Sequence, residues 1–245
     1  MCDLESIILS GIISIVTVII TQFIIARKEK RQYKKTTMAQ LRKEYIDPLR
    51  FAVSENYFRL HELIEAQNSL QSICEIHGED ELPNQPDEWY AGKGCYLISS
   101  CYLTAHLFYC MEHVRSAVPF MELSSSDDTD LLAQINMATV AFSQLGIYYV
   151  LQRDIGREFQ GGSGGVLMRY REFCTALQNR ENLVWYAPLV RFYLALHQEI
   201  QSNPDKVDKL MESLRNLSAY LDRIAKGGDS IERKLHVEWE AHNRR

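Results

Sequence analysis

Three side chains that can bind a transition metal occur at helical spacing near the middle of the chain. His106, Cys110 and His113 stand at positions i, i+4 and i+7, so they share one face if this segment is a helix. Imidazole and thiolate groups are ligands of zinc, and a fourth ligand would have to come from another element. The neighbouring residues are aromatic, and a histidine among them commonly serves as a hydrogen-bonded core group. The sequence therefore predicts no metal or cofactor, with these three residues as the candidate ligands if that prediction fails.

A second pair of residues could perform acid–base chemistry on a phosphodiester. Arg191 and His197 are separated by five residues, a spacing that resembles the R-x4–6-H pattern of the helical HEPN ribonucleases. The resemblance covers these two residues. It implies that Arg191 stabilises phosphate charge and that His197 transfers a proton. Phe192 follows the arginine, where these enzymes usually have a polar residue. A membrane-tethered, HEPN-like ribonuclease is the alternative to a function without catalysis.

Charge is distributed unevenly along the chain. The 245 residues carry a net charge of -5, yet residues 27–43 contain eight basic residues and one acid. The remainder of the chain is therefore acidic, and an acidic surface repels the phosphates of DNA and RNA. The composition argues against a nucleic-acid partner.

Residues 6–26 are the segment that fixes where the other residues act. They contain no charge, and 13 of the 21 are Ile, Leu, Val or Phe. A helix of this length extends about 31 Å, which matches a hydrocarbon core of about 30 Å. Acidic residues precede the segment and basic ones follow it, the reverse of a signal peptide. We expect a single transmembrane helix.

Six basic residues directly after this segment determine the expected orientation. By the positive-inside rule, the N-terminus lies outside and the rest of the chain lies in the cytoplasm, at a plasma or inner membrane. The same residues should bind anionic lipid headgroups. They are Arg27, Lys28, Lys30, Arg31, Lys34 and Lys35.

The remaining chain repeats apolar residues at spacings of three and four, without convincing alternation of period two. The expected fold class is all-α, with a single N-terminal transmembrane helix followed by a cytosolic multi-helix bundle. We expect helices over 38–46, 49–76, 94–120, 127–159, 166–178 and 184–201, and one from 204 onward. Residues 79–93 carry prolines and acids and are expected to form a loop.

The last of these helices has a heptad pattern of apolar residues. This pattern can bury the helix within its own bundle or form a seam between copies, and its short length favours the first. Its positions are Val207, Leu210, Leu214, Leu217, Leu221 and Ile224.

The predicted organisation has four parts: a tail and anchor (1–26), a basic juxtamembrane segment with a connecting helix (27–47), a helical bundle (48–228) and a charged tail (229–245). The six cysteines form no C-x-x-C pair and are expected to be free thiols. Since no catalytic motif fits its context, the predicted function is a membrane-anchored interaction module acting as scaffold, sensor or regulatory partner. Its partners would be the lipid bilayer and either another protein or a second copy.

Overall fold

The structure is a computed structural model, and it describes residues 22, 27–29, 32, 36, 40–66, 69–121, 127–161 and 167–225; the side chains of 118–121 and 127–128 are not among those described. These residues form a multi-helix bundle and contain no strand, which confirms the all-α prediction for this part of the chain. The chain divides into two compact units, Met1–Lys43 and Glu44–Arg245.

The described α-helices differ widely in length. A π-helical turn, Arg42–Ile46, precedes the first, and a 3-10 helix, Glu79–Asn84, lies between the second and third. The α-helices are α1 (Asp47–Glu65), α2 (Leu70–Cys74), α3 (Asp87–Ala91), α4 (Cys95–Met121), α5 (Asp127–Gln144), α6 (Tyr149–Gln160), α7 (Tyr170–Gln178), α8 (Arg180–Ser202) and α9 (Pro204–Ala225).

The predicted transmembrane segment, residues 6–26, lies outside the described residues except for Gln22, which is helical. Among the helices that are described, none has the length and apolar character needed to cross a membrane. Arg27 and Lys28 are helical and exposed. The other four basic residues predicted at the membrane surface, and the predicted tail 229–245, are outside the described ranges: Lys30, Arg31, Lys34 and Lys35.

Helix α4 is the centre of the bundle, because it packs against α1, α6 and α8. Its inward side chains Leu97, Phe108 and Met111 are buried. Phe108 meets Phe142 of α5 edge to face, with ring centroids 5.1 Å apart. Such aromatic pairs add about 1 kcal/mol to the effect of burial.

A buried chain of polar side chains links α1, α4 and α8. Thr104 donates to the Asn56 side-chain oxygen at 2.8 Å, and its hydroxyl lies 2.6 Å from that of Tyr193. Asn56 also donates to the carbonyl oxygens of Ala52 and Leu103. Because every member has a partner, the network fixes how these three helices face one another without leaving an orphaned polar atom.

Helix α9 packs against α5 and α1. An ion pair between Arg50 of α1 and Asp222 joins α1 to the last turn of α9. The heptad residues are buried within the single chain, which confirms the favoured prediction; they are Val207, Leu210, Leu214, Leu217, Leu221 and Ile224.

The expected helix 49–76 is interrupted. Helix α1 ends at Glu65, where Ala66 takes an extended conformation, and α2 restarts at Leu70 with Ser69 as its N-cap. The apolar spacing persists across the interruption, so the periodicity alone could not locate it.

The expected loop 79–93 is largely helical, and that prediction was wrong. Leu82, Trp89 and Tyr90 are buried here. The Trp89 indole donates to the Cys74 carbonyl at 3.0 Å, and the Tyr90 hydroxyl donates to that of Leu82 at 2.9 Å. Tertiary burial of these aromatic residues outweighs the weak helix propensity of prolines and acids.

The expected helix 127–159 consists of two helices, α5 and α6. Gly146 has a φ of 93°, a left-handed conformation that glycine adopts without steric cost, and it turns the chain between them. Of the two helices expected over 166–178 and 184–201, the first begins later, at Tyr170, and the second begins earlier, at Arg180. Asn179 caps the second by accepting a hydrogen bond from the Glu181 amide at 2.8 Å.

Candidate functional site

A groove on the bundle brings together side chains from α4, α5 and the start of α6. Its volume is about 850 Å³ and it opens to solvent. Two guanidinium groups line it, and none of the described lining residues is Asp or Glu. We call it the arginine groove and define it by Arg115, Asn136, Thr139, Ser143, Tyr149 and Arg153.

Local structure explains why these residues meet. Asn136, Thr139 and Ser143 are three and four positions apart, so they lie on one face of α5. The turn at Gly146 then directs α6 back along that face. The buried Gln152 holds the turn, because its side-chain amide donates to the Thr139 carbonyl at 2.9 Å and to the Ile147 carbonyl at 2.6 Å.

Three arginines surround one carboxylate behind the groove. Arg153 donates to both oxygens of Glu112, at 3.0 and 3.1 Å, and Arg157 donates twice to Oε1, at 3.0 and 2.8 Å. Arg115 lies 3.9 Å from Glu112 and donates instead to the Thr139 hydroxyl. With one negative charge against three positive ones, the cluster has a net charge of about +2 at neutral pH.

The pKa values of this cluster follow from burial and charge. Burial raises the pKa of Glu112, but hydrogen bonds from Arg153 and Arg157 outweigh it, so the net pKa lies below its ordinary value. Burial lowers the pKa of Arg115, and the neighbouring charge of Arg153 lowers it further, while Glu112 acts in the opposite direction. Arg115 is thus a largely enclosed cation whose charge is only partly compensated.

The rim of the groove is aromatic and apolar. Tyr148 and Tyr149 are 66% and 58% exposed, and Val140 on α5 is 55% exposed. Groups of exposed large apolar side chains are uncommon on the surface of a monomer, and such a group beside a groove indicates a binding face. The arrangement can therefore hold an anionic group on its arginines and an apolar group on its rim.

Arg191 and His197 lie on the same helix, α8, and have different partners. Arg191 forms an ion pair with Glu79 at 2.9 Å. The His197 ring lies 3.2 Å from the Gln201 side-chain amide. Six residues along a helix turn through about 600°, so the two side chains leave the axis about 120° apart. The ribonuclease prediction remains untested.

Two of the three predicted metal-ligand candidates are close together. The Cys110 sulfur is 3.6 Å from the His106 ring, while His113 stacks on Tyr45 with centroids 4.6 Å apart. Burial lowers the pKa of His106 and raises that of Cys110 to about 12, which disfavours the thiolate that zinc requires. Within the part of the chain that the structure describes, no group of three or more His, Cys, Asp or Glu residues is arranged to hold a metal ion.

The arginine groove was not predicted from the sequence. Its cations, Arg115 and Arg153, lie on two helices and are 38 residues apart in the chain, and no spacing rule connects them. One signal was present: Glu112 and Arg115 stand three positions apart and are the only Asp, Glu, Lys or Arg residues between positions 95 and 121. Charged groups in such a helix indicate a partner elsewhere.

Comparison of the chain with known protein families, with curated proteins and with solved structures found no match.

Proposed function

We propose that the protein is a membrane-anchored interaction module whose helical bundle binds a protein partner through the arginine groove. Residues 6–26 are its anchor, the N-terminus lies outside and the bundle lies on the cytoplasmic side. The partner presents an anionic segment to Arg115 and Arg153 and packs apolar side chains on the rim.

The observation that carries this proposal is the composition of the groove. Arginine and tyrosine are among the residue types most enriched at the energetic centres of protein interfaces. Here both occur around a cavity whose described lining has no carboxylate, in a chain with a net charge of -5. The positive charge of the groove therefore gives it electrostatic selectivity for an anionic partner.

The anchor rests on the sequence. Twenty-one uncharged residues between an acidic and a basic flank favour a single membrane crossing with the bases in the cytoplasm. Each basic residue near an anionic leaflet adds about 1 kcal/mol of attraction. The bundle would thus be held near the membrane, where a partner in the same membrane has a high effective concentration.

Co-purification of the tagged, full-length chain from detergent-solubilised membranes tests the proposal. A protein that co-purifies with the wild type should be lost with an Arg153→Gln/Tyr149→Ala variant. It should be retained with Trp185→Ala, because Trp185 is an exposed residue of α8 that does not line the groove. Equal recovery from both variants would contradict the groove as the binding face.

The anchor has a separate test. After an alkaline carbonate wash, the wild-type chain should stay in the membrane pellet, and deletion of residues 6–26 should release it. Release of the wild type by the wash would contradict a transmembrane segment.

A further inference from the structure

The three arginines around Glu112 leave positive charge that no described residue neutralises. Glu112 is the single described carboxylate that interacts with Arg115 or Arg153. Since it also pairs with Arg157, one negative charge is shared among three guanidinium groups. A charge-matched ligand would supply about two negative charges.

Both arginines that line the cavity have N–H donors that could bind such a ligand. Arg153 uses Nε and Nη2 for Glu112, and Arg115 uses Nη2 for Thr139, so the Nη1 group of each remains without an acceptor at hydrogen-bond distance in the described structure. Asn136 and Ser143 add neutral polar groups to the same lining. Guanidinium groups bind tetrahedral oxyanions by paired, charge-assisted hydrogen bonds.

The enclosure of Arg115 strengthens this charge. Its side chain is 16% exposed, and the neighbouring Arg153 repels it. An enclosed cation that is incompletely paired is unfavourable, and an oxyanion placed between Arg115 and Arg153 would remove that repulsion. The charges of both arginines would therefore attract an anion placed between them.

We propose that the arginine groove is a site for a phosphoryl group carried on a segment of the partner protein, bound between Arg115 and Arg153. This inference rests on the proposed function and specifies its ligand. A phosphorylated side chain carries close to two negative charges at pH 7, whereas a glutamate carries one. The rim tyrosines then contact the residues that flank the phosphorylated position.

Calorimetric titration of the full-length chain in detergent, at physiological ionic strength, tests this site. The probes are a phosphoserine tripeptide (acetyl-Gly-phosphoSer-Gly-amide), the same tripeptide with Ser, the same with Glu, and inorganic phosphate. The phosphoserine tripeptide should bind with a dissociation constant of about 1 mM or tighter, and the Ser tripeptide should bind at least about tenfold more weakly.

Two variants give the matched comparison. Arg153→Gln should weaken phosphoserine binding by about tenfold or more, because Arg153 lines the groove. Arg180→Gln should change it less than about threefold, since Arg180 is an exposed arginine at the start of α8 that bonds to Asn84, does not line the groove and is not part of the cluster around Glu112. An equal loss in both variants, or no loss in either, overturns the proposal.

The titrations with the other probes also test the phosphoryl site. Absence of phosphoserine binding at about 10 mM overturns the phosphoryl site, as does equal binding of the Glu tripeptide, which would indicate a carboxylate ligand. Binding of inorganic phosphate without the phosphoserine tripeptide would indicate a free-phosphate site instead. Failure of this titration, with co-purification that still depends on Arg153, would remove the phosphoryl ligand and leave the interaction module. Phosphoserine binding that depends on Arg153, without co-purification that does so, would keep the phosphoryl site and remove the protein-binding groove.

Discussion

Gly156 on α6 lies directly against the backbone of Phe108 on α4. A Cβ at position 156 would come within 2.7 Å of the Phe108 carbonyl oxygen and 2.8 Å of its carbonyl carbon. Both contacts are with main chain, which cannot move aside as a flexible side chain can. One turn away on the same two helices, Arg153 meets Glu112. The close approach at the glycine therefore sets the distance at which the arginine cluster forms.

Substitution Gly156→Ala should separate α4 and α6 at this point. Alanine is favoured over glycine in a helix by about 1 kcal/mol, but overpacking against a backbone costs about 1–3 kcal/mol and should dominate. We expect a lower free energy of unfolding, measured by urea denaturation of the full-length chain followed by circular dichroism. Increased stability would show that the helices can move apart without cost.

Glu112→Gln should destabilise the protein by about 2 kcal/mol at pH 7, since hydrogen bonds to charged groups each contribute about 1.5–3 kcal/mol and glutamine keeps the shape but loses the charge. The effect should depend on pH. The folded-state pKa of Glu112 lies below the ordinary value of 4.5, so its stabilising contribution is fully present above pH 4.5 and disappears as the pH falls through the folded-state pKa.

Denaturation of wild type and Glu112→Gln at a series of pH values checks this dependence. The difference in unfolding free energy should be largest near neutral pH and shrink in acid, where protonated Glu112 resembles glutamine. A difference that stays constant across this range would mean that the charge of Glu112 has no role.

Substitutions at the two ends of the buried polar network, Asn56 and Tyr193, should lower the free energy of unfolding by different amounts. Tyr193→Phe removes one hydroxyl and should cost about 1 kcal/mol, because Thr104 keeps Asn56 as a partner. Asn56→Ala removes the hydrogen bonds to Thr104 and to the Leu103 carbonyl together and opens a cavity, at about 3 kcal/mol, although Thr104 keeps Tyr193 as a partner. Denaturant midpoints of the two variants give the comparison. Equal losses of unfolding free energy in the two variants would indicate that Asn56 is no more important to the network than Tyr193.

The fold class could be predicted from the sequence, whereas the helix ends and the groove could not. Helix α9 was predictable because the heptad spacing of its apolar residues indicates one buried face, and these residues are buried inside the single chain. The break at Ala66 and the helical segment around Trp89 depend on what those residues contact, and such contacts are not encoded in local spacing. Gly146 divides α5 from α6, yet a single glycine in an apolar run does not by itself indicate a left-handed turn.

The candidate site could not be predicted because its residues are far apart in the chain and meet only in the folded structure. Metal and nuclease candidates were found because their residues recur at short spacings on one helix. Arg115 and Arg153 become neighbours only when α4 and α6 pack at Gly156, and Glu112 reveals its role only with both arginines beside it. The arginine cluster lies between helices, and the spacing of residues within one helix carries little information about such contacts.

The ribonuclease alternative predicts RNA cleavage that depends on Arg191 and His197. We expect the purified full-length chain to leave RNA intact, because Arg191 is paired with Glu79 and the two side chains leave α8 in different directions. The measurement compares wild type with an Arg191→Ala/His197→Ala variant on labelled RNA. Cleavage that disappears in the double variant would make the protein an enzyme.

Site-specific photo-crosslinking in intact membranes shows whether a partner binds at the arginine groove. A photo-reactive residue at position 149, on the rim of the groove, is compared with one at position 185, which is exposed on α8. We expect a discrete crosslinked product at position 149 that is much weaker at position 185 and that is reduced when Arg153 is changed to glutamine. A product at 149 with the mass of two copies would identify the partner as a second copy of this chain. Crosslinking of equal strength at both positions, unaffected by Arg153→Gln, would contradict the arginine groove as the functional surface.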